Sequence, residues 1–117
     1  MKILIIDDEV FARNMLKRLL TRADVEIVEA DNAYEGFYKF EEEKPDIAIC
    51  DVMMAGIGGD WMIEKILNKF RDSNVIVCSG MEPSKLLKYK LIGAKAVLHK
   101  PIKFNELWHE IDKIMES

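Results

Sequence analysis

Short apolar runs alternate with longer amphipathic segments along the whole chain. Three of the short runs are apolar at consecutive positions, which indicates strands that are covered on both faces, as in a parallel sheet. None of the runs is long enough to form a helix of its own, and most contain β-branched residues. We therefore predict five strands, at 3–6, 25–30, 47–50, 75–78 and 96–98.

Apolar residues in the intervening segments recur three or four positions apart, which indicates amphipathic helices. Proline at 83 favours the start of a short fourth helix, and Gly93 is suited to end it. Five βα units in a row predict an α/β fold, a doubly wound parallel sheet with right-handed crossovers and helices on both faces. The predicted apolar stripes are Phe11, Met15, Leu16 and Leu19; Ala33, Phe37 and Phe40; Met62, Ile63, Ile66 and Leu67; and Phe104, Leu107, Trp108, Ile111, Ile114 and Met115.

Length and charge limit the class of protein. The 117 residues are about the size of one domain, so we predict a single domain over 1–117. Acids outnumber bases 21 to 17, which argues against electrostatic binding to nucleic acid or to an anionic membrane. Met1 leads almost directly into acids, unlike a signal peptide, and Cys50 and Cys78 end apolar runs as buried thiols would. We therefore expect a cytoplasmic protein.

Polar residues directly follow four of the five predicted strands. Asp7 and Asp8 follow the first strand, Asp51 the third, Ser79 the fourth and Lys100, after one histidine, the fifth. Ligands of an open parallel sheet bind beyond the carboxyl ends of its strands, near the switch in strand order. We therefore expect these side chains to meet at one rim of the sheet.

Three neighbouring carboxylates repel one another, by roughly 4 kcal/mol per pair at ~4 Å and an effective dielectric constant near 20. A hard divalent cation such as Mg²⁺ would offset this repulsion. A lysine and a hydroxyl beside the cation complete a cradle for a phosphoryl group, with Asp51 as nucleophile. Solvated loop ends and helix caps are the alternative, since aspartate, for example Asp8, is a good N-cap. The joint occurrence of all these residues favours the phosphoryl site.

Four motifs, in this order along the chain, resemble those of response-regulator receiver domains of the chemotaxis-regulator type. The motifs are 5–9 (IIDDE), 50–54 (CDVMM), 77–80 (VCSG), and Gly93-Ala94 followed by Lys100-Pro101. The resemblance covers essentially all 117 residues. It implies a flavodoxin-like fold with strand order 2-1-3-4-5 and five helices. It also implies a phosphorylation-activated switch of a two-component system.

The resemblance assigns the metal and the phosphoacceptor. Asp51 would accept a phosphoryl group from a histidine kinase, from a phosphotransfer protein or from a small acyl phosphate. Mg²⁺ would be held by Asp7, Asp8, Asp51 and the backbone carbonyl of Met53. The protein would then catalyse only its own magnesium-dependent phosphotransfer and dephosphorylation, and would not be an enzyme acting on external substrates.

The resemblance also implies how the signal is passed on. Ser79 would bond a phosphoryl oxygen, and Lys100 would pair with the phosphoryl group, with the Lys100–Pro101 peptide in the cis form. A downstream protein would bind the face formed by the fourth helix, the fifth strand and the fifth helix, on which several lysines are predicted. The chain would be a monomer or a weak dimer, with no direct contact to nucleic acid or membrane.

Three features depart from the family pattern. Ala55 stands where relatives usually have proline, and with the glycines near it predicts an unusually flexible loop after Asp51. Val97 stands where relatives usually have Tyr or Phe, so we expect the signal to travel through the loop 80–85 instead. His99 is either a substitute reporter or a residue that only lines the edge of the sheet. The segment 79–93 is one residue shorter than expected, which affects only how the fourth helix is drawn.

Two other functions remain as alternatives. A phosphatase of the haloacid-dehalogenase kind would use a second aspartate two residues after the nucleophile, where this chain has Met53. A receiver-like docking module that is not phosphorylated would usually lack one of the acids or the lysine, all of which are present. Both alternatives are therefore less favoured than the phosphorylated switch.

Overall fold

The computed structural model describes residues 1–54 and 58–116. Strands and helices alternate strictly along the chain, as the apolar pattern predicts. The strands are β1 (Lys2–Ile6), β2 (Glu26–Ala30), β3 (Ile47–Cys50), β4 (Val75–Ser79) and β5 (Ala96–His99). The helices are α1 (Val10–Leu19), α2 (Ala33–Glu43), α3 (Gly59–Lys69), α4 (Pro83–Leu91) and α5 (Phe104–Glu116). Over these residues no helix is long and apolar enough to cross a membrane.

The five strands form one parallel sheet in the order β2-β1-β3-β4-β5. The predicted flavodoxin-like fold is confirmed. Two apolar clusters cover the two faces: α2, α3 and α4 pack on one, and α1 and α5 on the other. The chain reverses its winding direction between β1 and β3, so the carboxyl ends of these neighbouring strands flank the crevice where such sheets bind ligands.

The central strands are buried on both faces because helices cover each side of the sheet. Leu4 and Ile6 of β1 contact the cluster under α2 and α3, while Ile3 and Ile5 contact the cluster under α5. All four side chains are fully buried. Burial of this kind stabilises the fold by about 1.5–3 kcal/mol for each large side chain.

Two of the predicted apolar stripes are partly wrong. In α1 only Leu16 is buried, while Phe11 is 73% exposed and Met15 is also exposed. In α5 the buried residues are Leu107, Trp108 and Ile111, while Phe104 and Met115 are exposed. Apolar residues occupy a wider arc of these helices than the sheet covers, so one edge of each arc faces solvent.

Glycine is required just after α4. Gly93 has a φ of +124°, a conformation that L-residues with a side chain rarely adopt. A Cβ atom there would also lie 3.2 Å from Leu67 of α3. The sequence therefore places the end of α4 correctly. The expected flexible loop around Ala55 and Gly56 lies outside the described residues.

Candidate functional site

Two buried carboxylates lie side by side at the rim of the sheet. Asp7 follows β1 and Asp51 follows β3, and their side chains are only 2% and 6% exposed. The backbone of each continues the sheet, since Asp7 donates its N–H to Ala30 (3.1 Å) and Asp51 donates its N–H to Ile6 (2.9 Å). These hydrogen bonds fix the backbone positions from which both carboxylates project.

Lys100 bridges the two carboxylates. Its Nζ donates to Oδ2 of Asp7 and to Oδ2 of Asp51, each at 2.9 Å. Burial acts to lower the pKa of Lys100, but its hydrogen bonds to the two carboxylates outweigh burial, so the pKa lies above its ordinary value. Lys100 donates its own N–H to the carbonyl of Ser79 at 2.9 Å, and the Lys100–Pro101 peptide is cis, as the family pattern predicts.

The second oxygen of each carboxylate is held by a loop amide. Oδ1 of Asp51 accepts from the N–H of Met53 at 2.9 Å, and Oδ1 of Asp7 accepts from the N–H of Glu9 at 3.0 Å. Each carboxylate therefore has one oxygen on Lys100 and one on the loop that follows its strand. This arrangement leaves neither carboxylate free to rotate.

Ser79 ends β4, on the far side of β3 from Asp7. Its side chain is fully buried, and its Oγ accepts from the N–H of Met81 at 3.1 Å. The neighbouring residue in β5 is His99, which pairs with Ser79 in the sheet and has an exposed side chain. The hydroxyl is thus on the same rim as the carboxylates, as the strand order predicts.

The residues at this rim fit a magnesium ion. Carboxylate oxygens of Asp7, Asp8 and Glu9 lie within 4.8 Å of one another. Asp51 adds a further buried carboxylate, while a single ammonium group bridges it and Asp7. Hard oxygen donors with excess negative charge are what Mg²⁺ prefers. The carbonyl of Met53 as a ligand stays a prediction.

The start of α3 packs tightly against the segment after Asp51. A Cβ atom on Gly59 would lie 2.5 Å from Cα of Val52, so only glycine permits this close approach. Directly after it, Asp60 accepts hydrogen bonds from the hydroxyl of Tyr89 (2.5 Å) and from Nζ of Lys88 (3.1 Å), both on α4. The sequence pattern did not single out this contact.

Helix α4 contributes a buried aromatic residue to the face of the sheet on which Val97 lies. Tyr89 is 1% exposed and belongs to the same apolar cluster that Val97 packs against. Burial and the hydrogen bond to Asp60 raise the pKa of Tyr89, so the hydroxyl stays protonated. The chain thus has a buried aromatic ring on this face of the sheet, on the helix rather than on the strand.

The two cysteines are free and buried, as predicted. They lie on adjacent strands but on opposite faces of the sheet: Cys50 belongs to the cluster under α2, α3 and α4, and Cys78 to the cluster under α1 and α5. Burial raises the pKa of the Cys78 thiol to about 12 and that of Cys50 further still. Both thiols therefore stay protonated, which makes them poor nucleophiles.

The model of the response regulator receiver domain family matches residues 3–112. The chemotaxis protein CheY of Listeria monocytogenes is 33% identical over 115 residues, covering 97% of this chain and 97% of that protein. The CheY of Thermotoga maritima is also 33% identical over 115 residues, covering 97% and 96%.

Solved structures of similar chains share the fold. A receiver domain protein from Clostridium thermocellum superimposes with a TM-score of 0.90 at 26% identity, covering 98% of this chain and 94% of that one. The response regulator TrrA of Thermotoga maritima, solved in complex with Mg²⁺-BeF, superimposes with a TM-score of 0.87 at 29% identity, covering 97% of each chain.

Proposed function

Because the chain belongs to the response regulator receiver domain family, we propose that it is a phosphorylation-activated signalling switch that accepts a phosphoryl group on Asp51 from a histidine kinase or phosphotransfer protein. The observation that carries this proposal is the bridging ammonium of Lys100, 2.9 Å from both buried carboxylates. Stability alone does not explain such an ion pair, because apolar residues of similar volume often stabilise a fold as well as a buried ion pair does.

In the proposed transfer, Asp51 is the nucleophile. A carboxylate oxygen of Asp51 attacks the phosphorus of a phosphohistidine, and the new O–P bond forms as the P–N bond breaks. The electron pair leaves on the imidazole nitrogen, which takes a proton from solvent, and Asp51 becomes an acyl phosphate. Mg²⁺ would be held by Asp7, Asp8, Asp51 and the carbonyl of Met53, and it would neutralise charge on the phosphoryl group.

Two further side chains stabilise the transferred group. Lys100 already contacts Asp51, so its ammonium can follow the charge onto the phosphoryl oxygens. The O–H of Ser79 is a donor on the same rim, and Ser79 is tied through Met81 to the loop that leads into α4. A hydrogen bond from Ser79 to the phosphoryl group therefore pulls on this loop.

The phosphodonor needs a docking surface next to Asp51. An apolar groove of about 260 Å³ borders Lys100 and is lined by Phe11 and Met15 of α1 and by Pro101 and Ile102. The exposure of Phe11 and Met15, which their helix does not bury, is what a transient protein contact uses. A partner bound there would present its phosphohistidine to Asp51. We place both proteins in the cytoplasm.

The output surface includes α4. Leu87 is 59% exposed and Leu91 is 87% exposed, one helical turn apart, with the exposed Lys85, Lys90 and Lys95 nearby. This combination fits an acidic amphipathic segment of a downstream protein, whose apolar face would cover the leucines and whose acids would meet the lysines.

The test is intact-mass spectrometry after incubation with Mg²⁺ and acetyl phosphate. We expect one added phosphoryl group, lost on treatment with hydroxylamine, which cleaves acyl phosphates. Asp51→Asn should not be labelled, whereas Asp72→Asn, an exposed aspartate at the opposite end of the sheet, should be labelled like the wild type. Labelling of Asp51→Asn at the wild-type rate, or an unlabelled wild type, would contradict the proposal.

A further inference from the structure

The side chain of Arg13 connects the end of β1 to the neighbouring strand β2. From α1, its Nη1 donates to the backbone carbonyl of Asp7 at 2.7 Å, and its Nε donates to Oε1 of Glu29 at 3.1 Å. The side chain is 15% exposed, so most of it is removed from solvent. Neither Arg13 nor Glu29 has a part in the chemistry described so far.

Glu29 is itself held from several sides. Lys17 donates to its second carboxylate oxygen at 3.1 Å, and Lys39 donates to its backbone carbonyl at 2.6 Å. Burial acts to raise the pKa of Glu29, but its hydrogen bonds to Lys17 and Arg13 outweigh burial and lower the pKa. The carboxylate is therefore ionised, and it orients the planar guanidinium of Arg13.

Arg13 contacts the peptide bond whose orientation sets the positions of Asp7 and Asp8. The carbonyl that Arg13 binds belongs to the planar unit joining Asp7 to Asp8. The orientation of this plane sets the direction in which the chain leaves β1, and with it the positions of both carboxylates. On the other side of Asp7, the N–H is fixed by Ala30 of β2. Arg13 thus restrains this turn together with Ala30 and with the N–H of Glu9, which donates to Oδ1 of Asp7.

We infer that Arg13 is a positioning residue for the divalent cation: supported by Glu29, it holds the Asp7–Asp8 peptide so that the two carboxylates converge on one ion. The inference rests on the proposed function, because that function supplies the reason for a cation at this rim. Arg13 acts only through the carbonyl of Asp7 and is not itself a ligand.

The direction in which Mg²⁺ affinity changes when Arg13 is removed distinguishes a positioning role from simple electrostatics. Arg13 is a cation next to a group of acids. If only Coulomb interactions mattered, its removal would strengthen Mg²⁺ binding. Loss of a positioning contact would weaken it, and partners of metal ligands typically contribute about 10–100-fold to affinity. The two interpretations therefore predict opposite changes in Kd.

The experiment is calorimetric titration with Mg²⁺, with circular dichroism as the measure of folding. Arg13→Ala should raise the Kd for Mg²⁺ about tenfold. Arg13→Lys keeps the charge but can reach only one of the two oxygens, so it should recover part of the affinity. Lys17→Ala is the matched control: it removes the other cation from Glu29 but no contact with Asp7, and its Kd should change by less than about twofold.

A kinetic measurement provides a second readout. In Arg13→Ala, acetyl phosphate labelling should need more Mg²⁺ but should approach the wild-type rate at saturation, because a filled site restores the ligand geometry. If Arg13→Ala fails to fold, Glu29→Gln takes its place, since it frees one side of the guanidinium, and it should weaken Mg²⁺ binding in the same direction.

An unchanged or tighter Kd in Arg13→Ala, or in Glu29→Gln where that variant replaces it, would overturn the inference. An equal loss in Lys17→Ala would overturn it as well, because the effect would then follow the charge on Glu29. A wild type that neither binds Mg²⁺ nor becomes labelled would overturn the proposed function and this inference together. A wild type that does both, with an unaffected Arg13→Ala, would overturn the inference alone.

Discussion

Lys100 is the residue at which burial and charge oppose each other most directly. Its side chain is 26% exposed, yet its ammonium lies between two nearly buried carboxylates. Removing one partner from such a group leaves uncompensated charge in a poorly solvated place. The stability of the metal-free protein should therefore depend strongly on this one cation.

Lys100→Met should lower the free energy of unfolding by about 3 kcal/mol at pH 7. The pKa of Lys100 is raised in the folded protein from an ordinary value of 10.5. Its contribution is therefore complete below pH 10.5 and is lost as the pH rises through the folded value. Urea unfolding between pH 7 and 11 should show the difference between wild type and Lys100→Met shrinking at the alkaline end. The exposed Lys95→Met is the control, and an equal loss in both variants would contradict the prediction.

Ser79 should separate phosphorylation from output. Ser79→Ala removes the hydroxyl that binds Met81 and, in our proposal, the phosphoryl group, but it leaves Asp51 and Lys100 in place. We expect acetyl phosphate labelling to persist while affinity for the downstream partner no longer rises on phosphorylation. Val97→Ala should change the output little, since valine is short and stiff at χ1. If the rise in partner affinity were lost in Val97→Ala and kept in Ser79→Ala, the signal would instead pass through β5.

At the scale of elements, α4 is tied to the first turn of α3. Its buried Tyr89 donates to Asp60, which directly follows the glycine packed on Val52. This hydrogen bond therefore connects α4, the proposed output helix, to the segment after Asp51. The exposed ion pair between Lys88 and Asp60 lies beside it and is a natural comparison.

Tyr89→Phe should keep the ring in the core but lose a hydrogen bond to a charged acceptor, which lowers stability by about 1.5–3 kcal/mol. Lys88→Ala removes the exposed ion pair on the same carboxylate, which contributes at most about 1 kcal/mol. Chemical denaturation of the two variants measures both effects. A larger loss in Lys88→Ala than in Tyr89→Phe would show that the buried hydroxyl does not anchor α4.

At the scale of the whole molecule, folding and metal binding are linked. Only the folded chain brings Asp51 next to Asp7 and Asp8, because Asp51 follows β3 whereas the other two follow β1. A ligand that binds only the folded state stabilises it by RT ln(1 + [L]/Kd). The same crowding of like charges acts against folding when the metal is absent.

Mg²⁺ at 100 times its Kd should raise the free energy of unfolding by about 2.7 kcal/mol. Asp8→Asn should raise the Tm of the metal-free protein and abolish most of the increase with Mg²⁺, because it removes one repelling charge and one ligand. Thermal unfolding with EDTA and with Mg²⁺ measures the Tm of the metal-free protein and its increase with the metal. A Tm that is insensitive to Mg²⁺ and lowered by Asp8→Asn would contradict the prediction.

The alternation of apolar runs with amphipathic segments was enough to predict a doubly wound parallel sheet and the rim at which Asp7, Asp51, Ser79 and Lys100 meet, whereas the strand order came from the resemblance to the family. Alternation is a local property of the chain, and a parallel sheet brings the carboxyl ends of its strands to one edge whatever the details of packing. The positions of these four residues were therefore accessible from the sequence, because each directly or nearly follows a strand.

Other features depended on how the helices lie on the sheet. Periodicity shows that a helix has an apolar arc but not which part of that arc is covered, so the exposure of Phe11 and Met15 was missed. Cys50 and Cys78 lie on opposite faces of the sheet because Cys50 pairs with Val77, the residue before Cys78. This pairing of β3 with β4 is known only from the structure. The contact of Arg13 with Asp7 joins a helix to a strand end through a backbone carbonyl. A carbonyl is present at every position and leaves no signal in the sequence, so only the tertiary structure decided which one the arginine would bind.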